Sequence, residues 1–556
     1  MSICYPSRKV GIGGEGGLAK NTFSDEVSHL ETNGRLDHSV ESSTCRGSGW
    51  FDLCMLALIC ALFLTFRVPL MVRQAGGMDE GDFSVPGCTI LQEGIPRIPY
   101  VPSRNVDGFF YRVDEIFLLL PPLYYYWQAL FYSVLPPGYG TARLASGTAA
   151  IIAVVLIYVL GRQLTGNRAA ALWGAGLYSL SRVCFFPALA ARPDMLCGML
   201  GLAAVAAWLR WRQGGRIGWL IAASALLGLG GLTHPLAITY AIPIGIWALL
   251  VPDRPLRRLG YVSILIGGAV LVFSLWLVLI IPHYDVFRLQ FFNNVLDRSG
   301  PGLLDRFIFP WESIRWQTRQ ILEHAGPIQT TLMFGSLLAT TVMAIRSRNP
   351  GVLKLVALAW SSVYLLVVFE GVHPTKGYWC YPGAWLFLCA GWCVASIGSA
   401  WHNLCARAKV PLLASRAVAG TAAAGVLLLM LPGSGIQAWI AHVQHWDDPS
   451  YDARKFTRLL LDEVPADARV VVDGAYVLPF YLDRRTVILA GSYDLRVPDD
   501  YLPYDYFVAG RESIAKGFPE KLGGRFVKSL GNRDDLFSCY AELYVSERVG
   551  RPELTL

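Results

Sequence analysis

The run FLLLPPLYYYWQALFYSVLPP, residues 117–137, decides how this chain is threaded. It is long enough to cross a bilayer as a helix, which takes about 20 apolar residues. Its paired prolines and its Tyr- and Trp-rich middle suit instead a helix lying in the membrane interface, where aromatic rings settle. Charge elsewhere in the chain chooses between the two. Eleven further apolar blocks read as spanning helices, near 51–72, 144–160, 169–187, 195–209, 217–233, 235–251, 261–281, 328–345, 355–369, 378–400 and 417–432. If 117–137 lies flat and the N-terminus is cytoplasmic, the connections 161–168, 210–216, 252–260, 346–354 and 401–416 face the cytoplasm. They hold fourteen Lys and Arg residues against one acid, Asp253. A spanning 117–137 would invert the downstream half and place that charge outside, against the positive-inside rule. The reading is eleven spans with the C-terminus outside.

Composition agrees. The 556 residues are 54% hydrophobic and only 16% charged, and their mean hydropathy is +0.41. Soluble domains carry about 25% charged residues, so an ordinary soluble enzyme is excluded. The net charge is +7. Its basic residues lie between the apolar blocks rather than in one patch, which points to membrane topology and away from nucleic acid. Twelve cysteines contain no CxxC pair and no zinc-like Cys/His spacing, so they read as small core residues and predict no metal centre. Residues 1–50 are polar and Gly/Ser-rich without the layout of a cleaved signal peptide, and read as a disordered cytoplasmic tail.

The fold class is an all-α polytopic membrane protein with a small C-terminal α/β domain. Its transmembrane module covers 51–432. The outer face receives a first loop at 73–143 carrying interfacial helices, a second at 282–327, and the domain at 433–556. That domain shows a helical ARKFTRLLLDEV and strand-like ARVVVDG, RRTVILAG and YDYFVAG.

Ionisable residues are absent from the middle of every span, where ion-coupled carriers usually keep them. Polar residues collect instead at the outer helix ends: Asp79 and Glu80, Arg192 and Asp194, His234, and Glu370, His373 and Lys376. Each has a plainer alternative. Asp79 and Glu80 read equally as solvated loop acids, Pro193-Asp194 as a helix start with Asp194 as its N-cap, His234 as a turn residue, and His373 and Lys376 as snorkelling side chains. Their convergence on one face, fixed by charges in other loops, suggests a reaction site at the outer membrane–water boundary.

MDEGDFSVPGCTILQEGIP, PPLYYYWQALF, TARLASGTAAIIAVVLIYVLGRQL and AARPDML, in that order, resemble the membrane glycosyltransferases of the GT-C class. The likeness is to the dolichyl-phosphate-mannose protein mannosyltransferase-like group, which includes the lipid A aminoarabinose transferase. It is dense over 75–200 and weaker through HPTKGYWCYP into the C-terminal domain. The resemblance implies transfer of a hexose or pentose, with inversion, from a polyprenyl monophosphate to an acceptor on the outer side of the membrane. It implies Asp79 as general base and Asp194 as a second site carboxylate, with Glu80 beside them. Relatives often carry Lys immediately before the PPLYYW run; here that residue is Leu120, so another cation must meet the donor phosphate.

The chemistry suits these residue types. An acceptor hydroxyl is a poor nucleophile until a carboxylate takes its proton. A leaving prenyl phosphate gains charge that Lys or Arg stabilises where water is partly excluded. Lys376 and Arg192 are the candidates for that phosphate, with His373, His234, Tyr378 and Tyr124 as further substrate contacts. No cofactor is required, although a divalent ion helped by Glu80 or Glu115 is compatible with the sequence. Expected partners are the polyprenyl-linked donor, membrane lipids, and a lipid, protein or polysaccharide acceptor, without nucleic acid. The expected location is a bacterial inner membrane, with the C-terminal domain periplasmic. A lipid or solute transporter, or flippase, is the alternative. A non-catalytic scaffold that binds through its outer domain is a third reading, and it should tolerate Asp79→Asn.

Overall fold

Long apolar runs can cross a bilayer only if every backbone polar group is satisfied within the segment. In the computed structural model of this chain they are helices. The structure describes residues 45–296, 302–374, 376–493 and 503–547. The chain divides into two compact units, Met1–Cys54 and Met55–Leu556. Of the first, only the start of a helix is described, so the expected tail at 1–50 lies almost wholly outside the described residues.

Among the described residues, eight helices have the length and apolarity to cross a membrane: Gly49–Arg73, Tyr139–Thr165, Asp194–Gly214, Pro255–Val295, Trp311–Ser347, Pro350–Glu370, Cys380–Arg407 and Leu412–Ser434. Arg168–Leu180 and Arg182–Leu189 form a pair bent by 56° that makes a ninth if counted as one span. Ile217–Gly231 and Pro235–Leu249 are apolar but shorter. Length and apolarity therefore account for eight or nine of the eleven expected spans. The chain is an integral membrane protein.

The run 117–137 contains only a ten-residue helix, Leu123–Tyr132. Its rise of about 15 Å is half of a hydrocarbon core about 30 Å thick. The backbone before it is held by the buried Gln290. Its Nε2 donates to the carbonyls of Tyr111 (2.7 Å) and Ile116 (2.9 Å), and its Oε1 accepts from Leu118 N (2.6 Å).

Two expectations need correction. The block 169–187 is not free of charge, because Arg182 lies inside it where the helix breaks. Ser181 is extended there (φ −78°, ψ 153°), and its side chain accepts from Cys184 N to start a second helix. The fully buried Arg67 serves the other side of the break, donating from Nη2 to Ser179 O at 2.5 Å. A cation at a helix C-terminus is favoured by the helix dipole. The second correction concerns 282–327, which is largely helical rather than a loop. It holds Tyr284–Phe291, Leu303–Ile308 and the first part of Trp311–Ser347, which kinks at Gly326 (φ 77°) before Pro327.

The C-terminal portion is a five-stranded sheet with helices, packed on the bundle. The strands are β1 Arg469–Val472, β2 Thr486–Leu489, β3 Tyr506–Gly510, β4 Gly524–Gly531 and β5 Tyr540–Ser546. Their order is β2-β1-β3-β5-β4. β1 runs parallel to β2 and β3, while β5 is antiparallel to both β3 and β4. The three expected strands form the parallel part, whose apolar runs are buried as such strands require. β4 and β5 were not foreseen, since Lys528 and Glu542 interrupt their apolar pattern.

Candidate active site

The site grows from two short segments that meet between helices. MDEGDF forms the helix Met78–Phe83, too short to hold itself in water, so tertiary contacts place it. ARPD forms the turn before the helix Asp194–Gly214. Arg192 joins them. Its Nη1 ion-pairs with Asp79 Oδ2, and its Nε lies 2.8 Å from Asp194 Oδ2. The two carboxylates sit in different surroundings. The Asp79 side chain is 56% exposed and that of Asp194 is 0% exposed. Asp194 is the first helical residue, not its N-cap, which is Pro193; its carboxylate faces Arg192 rather than the free backbone amides.

Neighbouring groups fix Arg192. Its guanidinium carbon lies 5.6 Å from the Tyr378 ring centroid and 6.0 Å from that of Phe83. Its backbone N donates to Ser146 Oγ (3.3 Å), and that hydroxyl lies 2.8 Å from the buried Tyr124 hydroxyl. Tyr124 therefore supports the site from behind.

Glu80 is engaged elsewhere. Arg143 donates to it from Nε (2.7 Å) and Nη2 (2.6 Å), and the backbone amides of Gly77 (3.0 Å) and Ala191 (2.9 Å) complete its shell. The remaining donors of Arg143 reach the carbonyls of Met71, Gln74 and Ala75. Sequence reasoning missed Arg143 because it looks like an ordinary cation at a helix start. It also passed over Asp82, three residues after Asp79 and hence on the same helix face. Asp82 is buried, and its Oδ1 has no hydrogen-bond partner among the described residues. Burial pushes its carboxyl well above the usual carboxylate range, and Asp79 and Glu512 add to the push.

His234 lies at the wall of the site, its ring 5.2 Å from that of Tyr378. Its Nδ1 accepts from Leu236 N at 3.2 Å, which makes it the cap of the next turn. Burial pushes its pKa down to about 4, against an opposing pull from Asp194. Lys376 is exposed, and the next residue is tight against the ion pairs. A Cβ on Gly377 would stand 3.1 Å from Asp194 Oδ2 and 3.3 Å from Arg192 Nε. His373 marks the loop's anchor, since its carbonyl accepts from Trp316 Nε1 (3.1 Å) and Gln317 Nε2 (3.0 Å). Leu120 is buried in the hydrophobic core. Glu115 pairs with Arg112 and Arg104 rather than with Glu80. Among the described residues, no group of three His, Cys, Asp or Glu side chains is placed to hold a metal.

Comparison with known proteins places the fold. Residues 120–281 match the family model described as dolichyl-phosphate-mannose-protein mannosyltransferase. Arg192, Asp194 and His234 fall inside that stretch, and Asp79 and Lys376 outside it. No curated protein sequence matches the chain. In backbone it is similar to ArnT from Cupriavidus metallidurans in the apo state (TM-score 0.54, 18% identity, 91% of this chain and 100% of that one). The same protein bound to undecaprenyl phosphate gives 0.55 at 17% identity with the same coverage. AglB from Archaeoglobus fulgidus, an archaeal oligosaccharyltransferase in complex with an inhibitory peptide and a dolichol-phosphate, gives 0.51 at 12% identity, over 91% of this chain and 75% of that one. The architecture shared with these proteins is the GT-C fold.

Proposed function

We propose that this protein is a membrane glycosyltransferase. It moves a hexose or pentose from a polyprenyl monophosphate to an acceptor hydroxyl at the outer membrane–water boundary of a bacterial inner membrane. The observation that carries this reading is the Asp79–Arg192–Asp194 arrangement, with one carboxylate half-exposed and the other fully enclosed. The family match and the undecaprenyl-phosphate complex of ArnT support the donor class.

In the proposed reaction Asp79, reachable from water, takes the proton of the acceptor hydroxyl. The acceptor oxygen forms its bond to the anomeric carbon as the bond from that carbon to the prenyl phosphate oxygen breaks, inverting the centre. The phosphate leaves with the bonding pair. Asp194 orients Arg192, which in turn orients Asp79. Because Arg192 already faces two carboxylates, the exposed Lys376 is the better partner for the phosphate and takes the place of the Lys that Leu120 replaces. Glu80 acts through Arg143 as a positioning residue, and His234 as a neutral wall of the site.

Native mass spectrometry of the detergent-solubilised protein with added undecaprenyl phosphate tests this. Binding to wild type that weakens about tenfold in Lys376→Ala supports the donor site. A folded protein without affinity for the lipid phosphate rejects it and returns the transporter and scaffold readings.

A further inference from the structure

Glycines flank the Asp79 segment, and the contacts they permit come from the C-terminal domain. Gly76 N donates to Ala475 O at 3.2 Å. A Cβ on Gly76 would stand 2.8 Å from the Tyr139 ring and 3.0 Å from Ala475 O. On the far side of Asp79, a Cβ on Gly81 would stand 3.1 Å from Gly474 Cα and 3.2 Å from Gly474 O. The chain entering the short helix that carries Asp79, and the helix itself at Gly81, therefore both rest on one turn, Asp473–Gly474–Ala475, at the carboxyl end of β1.

That turn is itself held from two directions, and the helix it supports has a tie of its own. Asp473 is buried; its Oδ1 accepts from Ala475 N (2.9 Å), and its Oδ2 accepts from Ser513 N (3.0 Å) and Ser513 Oγ (2.5 Å). These bonds tie the end of β1 to the residues that follow β3. From the bundle, Tyr139 donates its hydroxyl to Gly474 O (2.5 Å) and accepts from Leu478 N (3.3 Å). Tyr100 ties the helix itself to the domain, donating its hydroxyl to Gly81 O while its own carbonyl accepts from Leu489 N at the end of β2.

We propose that the turn Asp473–Gly474–Ala475 is a positioning element for the transfer reaction: the C-terminal domain sets the place of Asp79 without touching either substrate. The inference rests on Asp79 being the base. A base displaced by about 1 Å costs about 10²-fold in rate, and a six-residue helix has no stiffness of its own to prevent that. The domain is thereby coupled to the chemical step rather than to donor binding, which Lys376 serves from another loop.

The test uses the full chain with Gly81→Ala and Gly81→Val as graded wedges, and Tyr139→Phe, which removes the bond to Gly474 without adding bulk. Amide hydrogen exchange is followed over 74–84 and over the helices Tyr139–Thr165 and Asp194–Gly214. Hydrolysis of a panel of undecaprenyl-phosphate hexoses and pentoses, in which water takes the acceptor's place at the anomeric carbon, releases undecaprenyl phosphate and gives kcat and KM. The expected result for Gly81→Val is exchange over 74–84 faster by about tenfold with both helices unchanged, and kcat lower by about 10²-fold with donor KM within about twofold. Gly81→Ala and Tyr139→Phe should fall between this variant and wild type. Unchanged exchange over 74–84, faster exchange with unchanged kcat, or loosening of both helices would overturn the proposal. A wild type that neither binds undecaprenyl phosphate nor acts on any donor removes the proposed function and the catalytic role of the turn. Exchange alone then decides whether the clamp exists.

Discussion

Asp79 and Asp194 share one arginine, and under the proposed function the asymmetry of that sharing gives them different roles. The Asp194 side chain is enclosed, whereas that of Asp79 is half-exposed and is the one open to an incoming hydroxyl. Asp79→Asn should lower turnover by about 10²- to 10⁴-fold while leaving the affinity for undecaprenyl phosphate in place, which the donor panel and native mass spectrometry check together. Glu80 should behave otherwise. Both it and Arg143 are buried, so Glu80→Ala strands a cation and should cost about 3–5 kcal/mol in stability, read as a lower thermal midpoint. His234 supplies a pH dependence. Its pKa is about 4 in the folded chain against an ordinary 6.5, so between those values the unfolded chain binds a proton that the folded one does not. Stability is then complete above pH ~6.5 and falls towards pH ~4, by up to about 3 kcal/mol. Unfolding midpoints across that range should slope in wild type and flatten in His234→Gln. At this scale the sequence named Asp79, Arg192 and Asp194 because polar residues stand out at the ends of apolar helices. It could not pair Glu80 with Arg143, which lies 63 residues away, since nothing local marks a long-range ion pair.

Elements were legible where one physical signal dominated. Each apolar block became a helix, and positive-inside counting kept 117–137 from being read as a span. The break at Ser181 was less visible, because a polar pair inside an apolar block looks tolerable until the second helix forms its own cap. The Gly326–Pro327 kink was hidden in the same way, beneath an amphipathic stretch that resembles a loop. There the left-handed φ of 77° suits only a residue without a Cβ. Gly326→Ala should cost about 1–2 kcal/mol and lower the thermal midpoint, whereas Ala at Gly335, which has open space around it in a regular helix, should not.

For the whole molecule, orientation is the quantity the loop charges set. A membrane-impermeant maleimide added to intact cells should label Val134→Cys, at an exposed position just after the interfacial helix, above the wild-type background. Gly214→Cys, among the arginines expected to face the cytoplasm, should label only after lysis. The reverse pattern would invert the topology and move the site to the other face. The sheet of the C-terminal domain carries a different consequence. β4 lies at the edge and, in the described structure, pairs with β5 on one side only, with Phe526 and Val527 about half exposed. Such a strand is a template for a second copy of itself, and charges such as Arg525 and Lys528 are what natural edges use to prevent that. Removing the charge by Lys528→Val should turn the domain into a self-associating surface, visible as a concentration-dependent rise in mass by light scattering. Self-association of this membrane protein in detergent should thus follow the guard residues of one edge strand as well as the apolar bundle.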